Sequence, residues 1–243
     1  MRYLILFMFL VGIFVLGSRS CGGFNFGFGG ISGEGPVKTE TRSAQDFHAV
    51  EIEVPGDVEI RISDQYSVEV EAQENLLPLL KTKVENGKLD VYFSENVSNA
   101  KDLKVRISGP AFDDLALSGS GNMKVLTPLS GESIELSIGG SGNIDLPQAD
   151  VGKMDCSISG SGSITVGGKA GDASFHIAGS GDIGAKNLAA TTAKAEIAGS
   201  GTVNCNVSQT LKAEIAGSGD VFYTGTPSVD TDISGSGKVK KVE

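Results

Sequence analysis

The stretch Ile177-Ala178-Gly179-Ser180-Gly181-Asp182-Ile183 decides the fold, because close versions of it recur through the second half of the chain. The tripeptide Gly-Ser-Gly occurs seven times, at spacings of 18 to 21 residues. An apolar residue stands two places before each first glycine and another two places after each second glycine. A fixed period of this length is typical of stacked repeats. The glycines of the seven copies are Gly119, Gly121, Gly140, Gly142, Gly160, Gly162, Gly179, Gly181, Gly199, Gly201, Gly217, Gly219, Gly235 and Gly237.

Apolar residues alternate with small or polar residues on both sides of each Gly-Ser-Gly. This period of two predicts a strand with one face turned inward, so each repeat predicts two strands. Gly-Ser-Gly is then the corner between them, where glycine adopts positive φ without steric cost. We therefore predict an all-β protein, a parallel β-helix-like solenoid with two strands per coil and Gly-Ser-Gly corners.

The stretch 44–112 is less regular and predicts an irregular N-terminal β cap that closes the core of the solenoid. Val54–Val58 resembles a degenerate corner, and Asn86-Gly87 between two alternating runs predicts a β-hairpin. Residues 113–243 carry the Gly-Ser-Gly coils. We expect 44–243 to form a single β-helical domain.

The first residues indicate export. Residues 1–20 contain Arg2, an apolar run and small residues before Cys21, as in a signal peptide. Cys21 at the cleavage point is a candidate lipidation site and thus a lipid anchor to a membrane, and simple cleavage before an ordinary cysteine is the alternative. Residues 21–43 are rich in glycine and polar residues, which predicts a flexible tether.

The charge balance excludes one class of partner. The chain of 243 residues has 34 glycines and a net charge of −10. Binding to nucleic acid needs surplus Lys and Arg, so no nucleic-acid partner is expected. Any attachment to an anionic membrane must come from Cys21 rather than from surface charge.

The sequence contains two patterns that resemble ligand-binding motifs, and neither predicts a cofactor or a metal. Gly179–Gly184 fits the dinucleotide pattern G-x-G-x-x-G, but no helix is predicted after it. Several corners are followed by an amide or a carboxylate, as in calcium-binding solenoids, but this repeat is twice as long as theirs. The residues concerned are Asn122, Asn143, Asp182 and Asp220.

A row of like charges is the most unusual feature of the predicted outer surface. Glu196, Glu214 and Asp232 each lie three places before a corner and should stack, which is unfavourable unless it is compensated. Lys194 and Lys212 stand on the same face and are expected to neutralise them, although a cation or a basic partner could do so.

The two histidines and two of the three cysteines suggest no chemistry. His48 and His176 are too few for a histidine metal site, and no nucleophilic triad is predicted. Cys156 and Cys205 fall in different inward rows about two coils apart, beyond disulfide reach, so both are expected to be reduced core residues.

The frame Ile-Ala-Gly-Ser-Gly-Asp/Thr-Ile/Val resembles the bacterial autotransporter-adhesin head GIN domain family. The resemblance covers roughly 47–230 and includes the strand Leu103–Ser108 and the entry Phe112–Gly121. It implies a β-helical fold akin to pectin lyases without their catalytic residues, a role in cell adhesion, and export, many members being from Bacteroidetes-type bacteria. No catalytic or ligand residue is carried over.

The sequence therefore predicts a non-enzymatic adhesin or cell-envelope binding module that presents flat faces to a glycan or a protein. A carbohydrate-active enzyme is the alternative, for which Asp113-Asp114 and the 95–102 loop are the places to inspect. A purely structural envelope protein is a third interpretation. Oligomerisation, the membrane concerned and the ligand are left open.

Overall fold

The structure is a computed structural model that describes residues 29–243, and all its regular elements are strands. The predicted signal peptide, residues 1–20, and Cys21 lie outside the described residues. The strands are β1 (Ile31–Ser32), β2 (Val37–Arg42), β3 (Ala49–Ile52), β4 (Asp57–Ile62), β5 (Ser67–Gln73), β6 (Leu80–Glu85), β7 (Lys88–Phe93), β8 (Val97–Asn99), β9 (Lys104–Gly109), β10 (Asp114–Leu117), β11 (Asn122–Val125), β12 (Leu129–Gly140), β13 (Asn143–Gly160), β14 (Ser163–Gly179), β15 (Asp182–Gly199), β16 (Thr202–Gly217), β17 (Asp220–Gly225), β18 (Ser228–Gly235) and β19 (Lys238–Lys241).

The repeats stack as parallel coils, which confirms the predicted β-solenoid. Each of β12 to β16 pairs in parallel with the strand one coil later. Cys156 lies beside Phe175, and Phe175 lies beside Ala195, so residues at equivalent places in the repeat form straight rows. These inward rows are filled with apolar side chains that are buried, and Phe175 is one of the largest.

The coils formed by β13 and β15 have three inward-facing segments, one more than the two strands that the sequence predicts, whereas in β16 the alternation runs without a break from Val203 to Val207. In β13 the alternation of buried and exposed residues breaks at Pro147-Gln148 and again at Gly152-Lys153, where two exposed residues follow each other. The pairing with β14 is interrupted at both places: the register shifts between Leu146 and Ala149, and Gly152 has no partner residue in the register. The prediction followed the alternation next to Gly-Ser-Gly, and the short third segment, Ala149–Val151, carries no glycine corner of its own.

The coil stack continues into the first third of the chain. β10 and β11 pair with β3 and β4, which places Val54–Val58 beside the corner at Gly119–Gly121 and confirms the degenerate corner. β7 and β9 add the next parallel layer. The hairpin at Asn86-Gly87 is confirmed, since both residues have positive φ and antiparallel β6 and β7 flank them.

The prediction that residues 21–43 form a flexible tether is wrong for Val37–Arg42. This segment is β2, and it pairs antiparallel with β5 along its whole length. Ile31–Ser32 pairs with Val97–Asn99, a short strand that lies within the predicted 95–102 loop. The folded domain therefore begins before residue 44, because the edge strand β5 needs a partner for its backbone groups.

Cys156 and Cys205 are free and buried, as predicted. They lie in different rows, since Cys156 is in register with Phe175 and Cys205 with Ala185. Burial raises the pKa of both thiols, that of Cys205 to about 12. Within residues 29–243, none of the secondary structure is a helix capable of crossing a bilayer.

Candidate binding surface

The Gly-Ser-Gly corners fix the register on which the outer surface depends. Gly179 has a φ of 136°, and a Cβ there would lie 2.3 Å from the carbonyl oxygen of Gly160 in the preceding coil. The amide of Ser180 donates to that same oxygen at 2.9 Å. Only glycine allows both this conformation and this approach. Successive corners therefore stack directly, and the residues before them form straight outward rows.

Two such rows bound a shallow groove of about 520 Å³ that follows the solenoid axis across five stacked strand segments. We call it the axial groove. Its polar row lies three places before the corners, and its small row lies one place before them. The polar row is Ser157, His176, Glu196, Glu214 and Asp232, and the small row is Ser159, Ala178, Ala198, Ala216 and Ser234.

Two of the three like charges of the polar row, Glu196 and Glu214, are compensated by the neighbouring lysines as predicted, and Asp232 has no ion pair among the described residues. Lys194 Nζ donates to Glu196 Oε1 at 2.5 Å, and Lys212 Nζ lies 2.7 Å from Glu214 Oε1. The hydrogen bond from Lys212 lowers the pKa of Glu214, and the same bond raises the pKa of Lys212. The two lysines therefore orient the carboxylates of Glu196 and Glu214 along the groove.

His176 is a member of the polar row whose role the sequence did not indicate. Its Nδ1 lies 2.6 Å from Glu196 Oε2 in the next coil, and its Nε2 lies 4.0 Å from Asp155 Oδ1 in the previous one. The small row was also missed, because alanine and serine before a glycine resemble ordinary turn residues. The regular spacing of Ala178, Ala198 and Ala216 was the signal that could have revealed it.

Asp113 and Asp114, the positions considered for an enzyme, lie near the N-terminal end of the solenoid, away from the axial groove. Asp113 Oδ1 lies 2.7 Å from His48 Nδ1. The Nε2 of His48 faces Gly87, where an added Cβ would lie 2.6 Å from it. Burial raises the pKa of Asp114, and the Glu135 carboxylate beside it contributes.

The corner residues considered for calcium form an outward row on another side of the coil. Asn143 donates to Asn122 at 2.8 Å, and Asn122 donates to Asp57 at 3.0 Å, so these side chains satisfy one another. Among the described residues, no three His, Cys, Asp or Glu side chains are grouped so as to hold a metal ion. Gly179–Gly184 leads directly into the strand β15 rather than into a helix.

The fold and the axial groove define a class of protein, the β-solenoids that expose a long surface lined by side chains from successive coils. The chain belongs to the family described as "Putative auto-transporter adhesin, head GIN domain", whose model matches residues 46–227. No protein of curated function matches the chain.

Solved structures of similar proteins share this architecture. A putative adhesin from Bacteroides fragilis is 24% identical, with a TM-score of 0.82 over 88% of this chain and 100% of that one. A putative adhesin from Parabacteroides merdae is 25% identical, with a TM-score of 0.71 over 88% and 99%. A protein from Parabacteroides distasonis described as a putative lipid binding protein is 29% identical, with a TM-score of 0.76 over 88% and 99%.

Proposed function

We propose that this chain is a non-enzymatic adhesion module of the cell envelope that binds an elongated glycan along the axial groove. The observation that carries the proposal is the groove itself. It repeats one polar and one small position in every coil, at the strand spacing of about 4.8 Å. A ligand with regularly repeated polar groups fits such a surface better than a compact small molecule, which needs a concave pocket.

A glycan fits the groove better than an extended polypeptide. Peptides that bind to β-sheets use unpaired backbone groups at a sheet edge. The segments of β14, β15 and β16 beneath the groove are paired on both sides, so a ligand meets side chains only. The carboxylates of Glu196 and Glu214 are acceptors for hydroxyl groups, and Ala198 and Ala216 leave room for the width of a sugar ring.

The contacts of the acidic residues support a binding role rather than a hydrolytic one. Glycoside hydrolysis needs one protonated acid and one carboxylate on opposite sides of the scissile bond. Glu196 and Glu214 stand in one row, and each forms an ion pair with a lysine. Among the described residues, alanine and serine line the other side of the groove, so no second carboxyl group faces these two.

The family description supports an exported, surface-associated location for this chain. We propose that Cys21 carries the lipid that retains the chain at the envelope. Cell fractionation of wild type and of the Cys21→Ala variant tests this part separately. The variant is expected to move from the membrane fraction to the soluble fraction, and an unchanged distribution would contradict lipidation.

An array of glycans, host proteins and lipid vesicles tests the ligand class. Wild type is expected to bind glycans, and Glu196→Gln with Glu214→Gln is expected to weaken that binding about tenfold or more, since hydrogen bonds to charged groups contribute about 1.5–3 kcal/mol. Asp182→Asn with Asp220→Asn removes the same charge from another side of the coil and serves as the control.

Three results would contradict the proposal. They are no binding to any glycan, equal loss in the two double variants, or binding to proteins or to vesicles alone. Vesicles are included because the similar protein from Parabacteroides distasonis is described as a putative lipid binding protein.

A further inference from the structure

The two ends of the solenoid differ in how they treat the exposed edge of the sheet. A free edge presents unpaired backbone groups and the last layer of core side chains, so natural proteins protect it with charges, bulges or covering segments. The N-terminal end has inward-pointing charges on its edge strand β2. At the C-terminal end only β19 has an inward-pointing charge, Lys241, and β18 has none.

The N-terminal end is closed by charged side chains that point inward. Lys38, Glu40 and Arg42 on β2 are in register with Ala72, Val70 and Val68, which are all buried core residues. These charges are tied down, since Lys38 pairs with Glu74 at 2.5 Å and Arg42 pairs with Glu40 at 2.8 Å. A second chain that paired with β2 would have to bury or displace these ions, which is unfavourable.

The C-terminal end leaves core positions uncovered. In β18, Val229 is 37% exposed and Ile233 is 39% exposed, although Leu211 and Ile215 at the same places one coil earlier are 0% and 2% exposed. Within the described chain, β18 pairs only with β16 and β19 only with β17. Both final strands therefore have one unpaired edge.

The outward charges of these two strands are of opposite sign. Asp230 and Asp232 face outward on β18, and Lys238 and Lys240 face outward on β19, because they continue the outward rows of β16 and β17. None of the ion pairs found in residues 29–243 involves any of these four side chains. One edge strand is thus acidic and the adjacent one is basic.

We infer that the C-terminal end is an interface for a second copy of this chain, joined tail to tail about a two-fold axis. The axis passes through the corner Gly235-Ser236-Gly237 and lies perpendicular to the solenoid. It places β18 of one protomer antiparallel to β19 of its partner, and β19 of the first antiparallel to β18 of the partner. Both free edges gain backbone hydrogen bonds in one closed, self-complementary contact.

The spacing of residues from the corner supports this arrangement. Asp232 lies four places before Ser236 and Lys240 lies four places after it, so the axis sets these opposite charges against each other across protomers. Ile233 and Val239, each three places from Ser236, meet on the inner side in the same way. Thr231 of one protomer also meets Lys241 of its partner on the inner side. The interface is therefore partly polar, and we expect the dimer to be reversible.

Other arrangements of two copies match fewer charges. An axis through the middle of β18 would pair that strand with itself and set Asp230 against Asp232, while β19 would remain unpaired. Head-to-tail stacking would place β18 against Lys81 and Lys83 of β6, which is favourable. It would also place β19 against β2, whose inward charges close that end. It would produce open-ended growth instead of a dimer.

Sedimentation velocity of the purified full chain tests the inference through charge exchange at Asp232 and Lys240. Wild type is expected to show a monomer–dimer equilibrium. Asp232→Lys and Lys240→Asp are each expected to weaken the dimer about tenfold or more, because each places two like-charged pairs across the axis. The variant that carries both exchanges restores the opposite pairing and is expected to dimerise again.

Mixing the two single variants gives an independent readout. Asp232→Lys has lysine at both positions 232 and 240, and Lys240→Asp has aspartate at both positions. An equimolar mixture of the two variants is therefore expected to form a heterodimer, although each variant alone is mainly monomeric. Far-ultraviolet circular dichroism controls for folding. A monomeric wild type, oligomers that grow beyond a dimer, single variants that dimerise like wild type, or a mixture that remains monomeric would overturn the inference.

Discussion

His176 Nδ1 lies 2.6 Å from Glu196 Oε2, and the two side chains stand on adjacent coils of the solenoid. The other carboxylate oxygen of Glu196 accepts a hydrogen bond from Lys194 at 2.5 Å. Each oxygen of the Glu196 carboxylate therefore contacts one protein side chain and keeps a second lone pair for a ligand. A carboxylate held from two sides loses little conformational entropy when it binds a further donor, and this favours recognition by a rigid row of groups.

The contact predicts that His176→Ala weakens ligand binding more than it weakens the fold. The side chain is about 39% exposed, so we expect stability to change by less than about 1 kcal/mol. Affinity for the best glycan of the array should fall several-fold, because Glu196 loses one of the two contacts that orient it. Isothermal titration calorimetry measures the affinity, and thermal unfolding measures the stability.

His48→Ala is the matched control for that variant. His48 makes a comparable contact with Asp113 at 2.7 Å, but it lies outside the axial groove. Its removal should leave the affinity unchanged. Equal losses of affinity in the two variants would show that His176 acts through general stability and not through the groove.

The stacked corners predict a large difference between two glycine substitutions. Gly179→Ala puts a Cβ at a φ of 136° and 2.3 Å from the Gly160 carbonyl oxygen, so we expect a loss of at least about 2 kcal/mol and a Tm about 4–8 °C lower. Gly184→Ala is the control, because a Cβ there meets its nearest neighbour at 3.7 Å and its φ lies outside the left-handed region. Similar Tm values for the two variants would contradict the role of the corner.

The coils could be predicted from the sequence because the same constraint acts once in every repeat. Seven Gly-Ser-Gly copies with apolar residues two places away on each side specify both the corner and the inward rows. The hairpin at Asn86-Gly87 was equally predictable, since two successive residues with positive φ define its turn. Local chemistry decides these features, and local chemistry is visible in a single sequence.

The features that were missed depend on contacts between distant segments. Val37–Arg42 reads as a polar spacer, and it becomes a strand because β5 offers a free edge. The third segment of the β13 coil, Ala149–Val151, has only two inward residues, too few for an alternating pattern to stand out. The axial groove depends on the absence of side-chain bulk at Ala178 and Ala198, and a single sequence marks such small residues only by their spacing.

The burial of Cys156 and Cys205 predicts that neither thiol reacts in the native protein. The thiolate is the reactive form, and burial raises the pKa of Cys205 to about 12 and that of Cys156 further. In the Cys21→Ala variant at about pH 8.5, a disulfide reagent should label no thiol until denaturant is added, and then it should label two. If either thiol of the native protein is labelled as fast as an exposed cysteine, the strand register that buries this thiol is contradicted.

The position of Asp114 predicts a stability difference that depends on pH. Burial and the neighbouring Glu135 raise its pKa above the ordinary value of 3.8, so the folded state holds the proton more tightly than the unfolded state does. Stability is therefore lost as the pH rises through the raised pKa. Asp114→Asn removes this loss of stability and should raise Tm by about 1–3 °C at neutral pH. At a pH below the ordinary aspartate pKa of 3.8, the substitution should give no gain in Tm. Asp150→Asn, at an exposed carboxylate on another side of the coil, should change Tm little at either pH. A gain in Asp114→Asn that persists in acid would mean that the amide stabilises the fold by some contact other than relief of the buried charge.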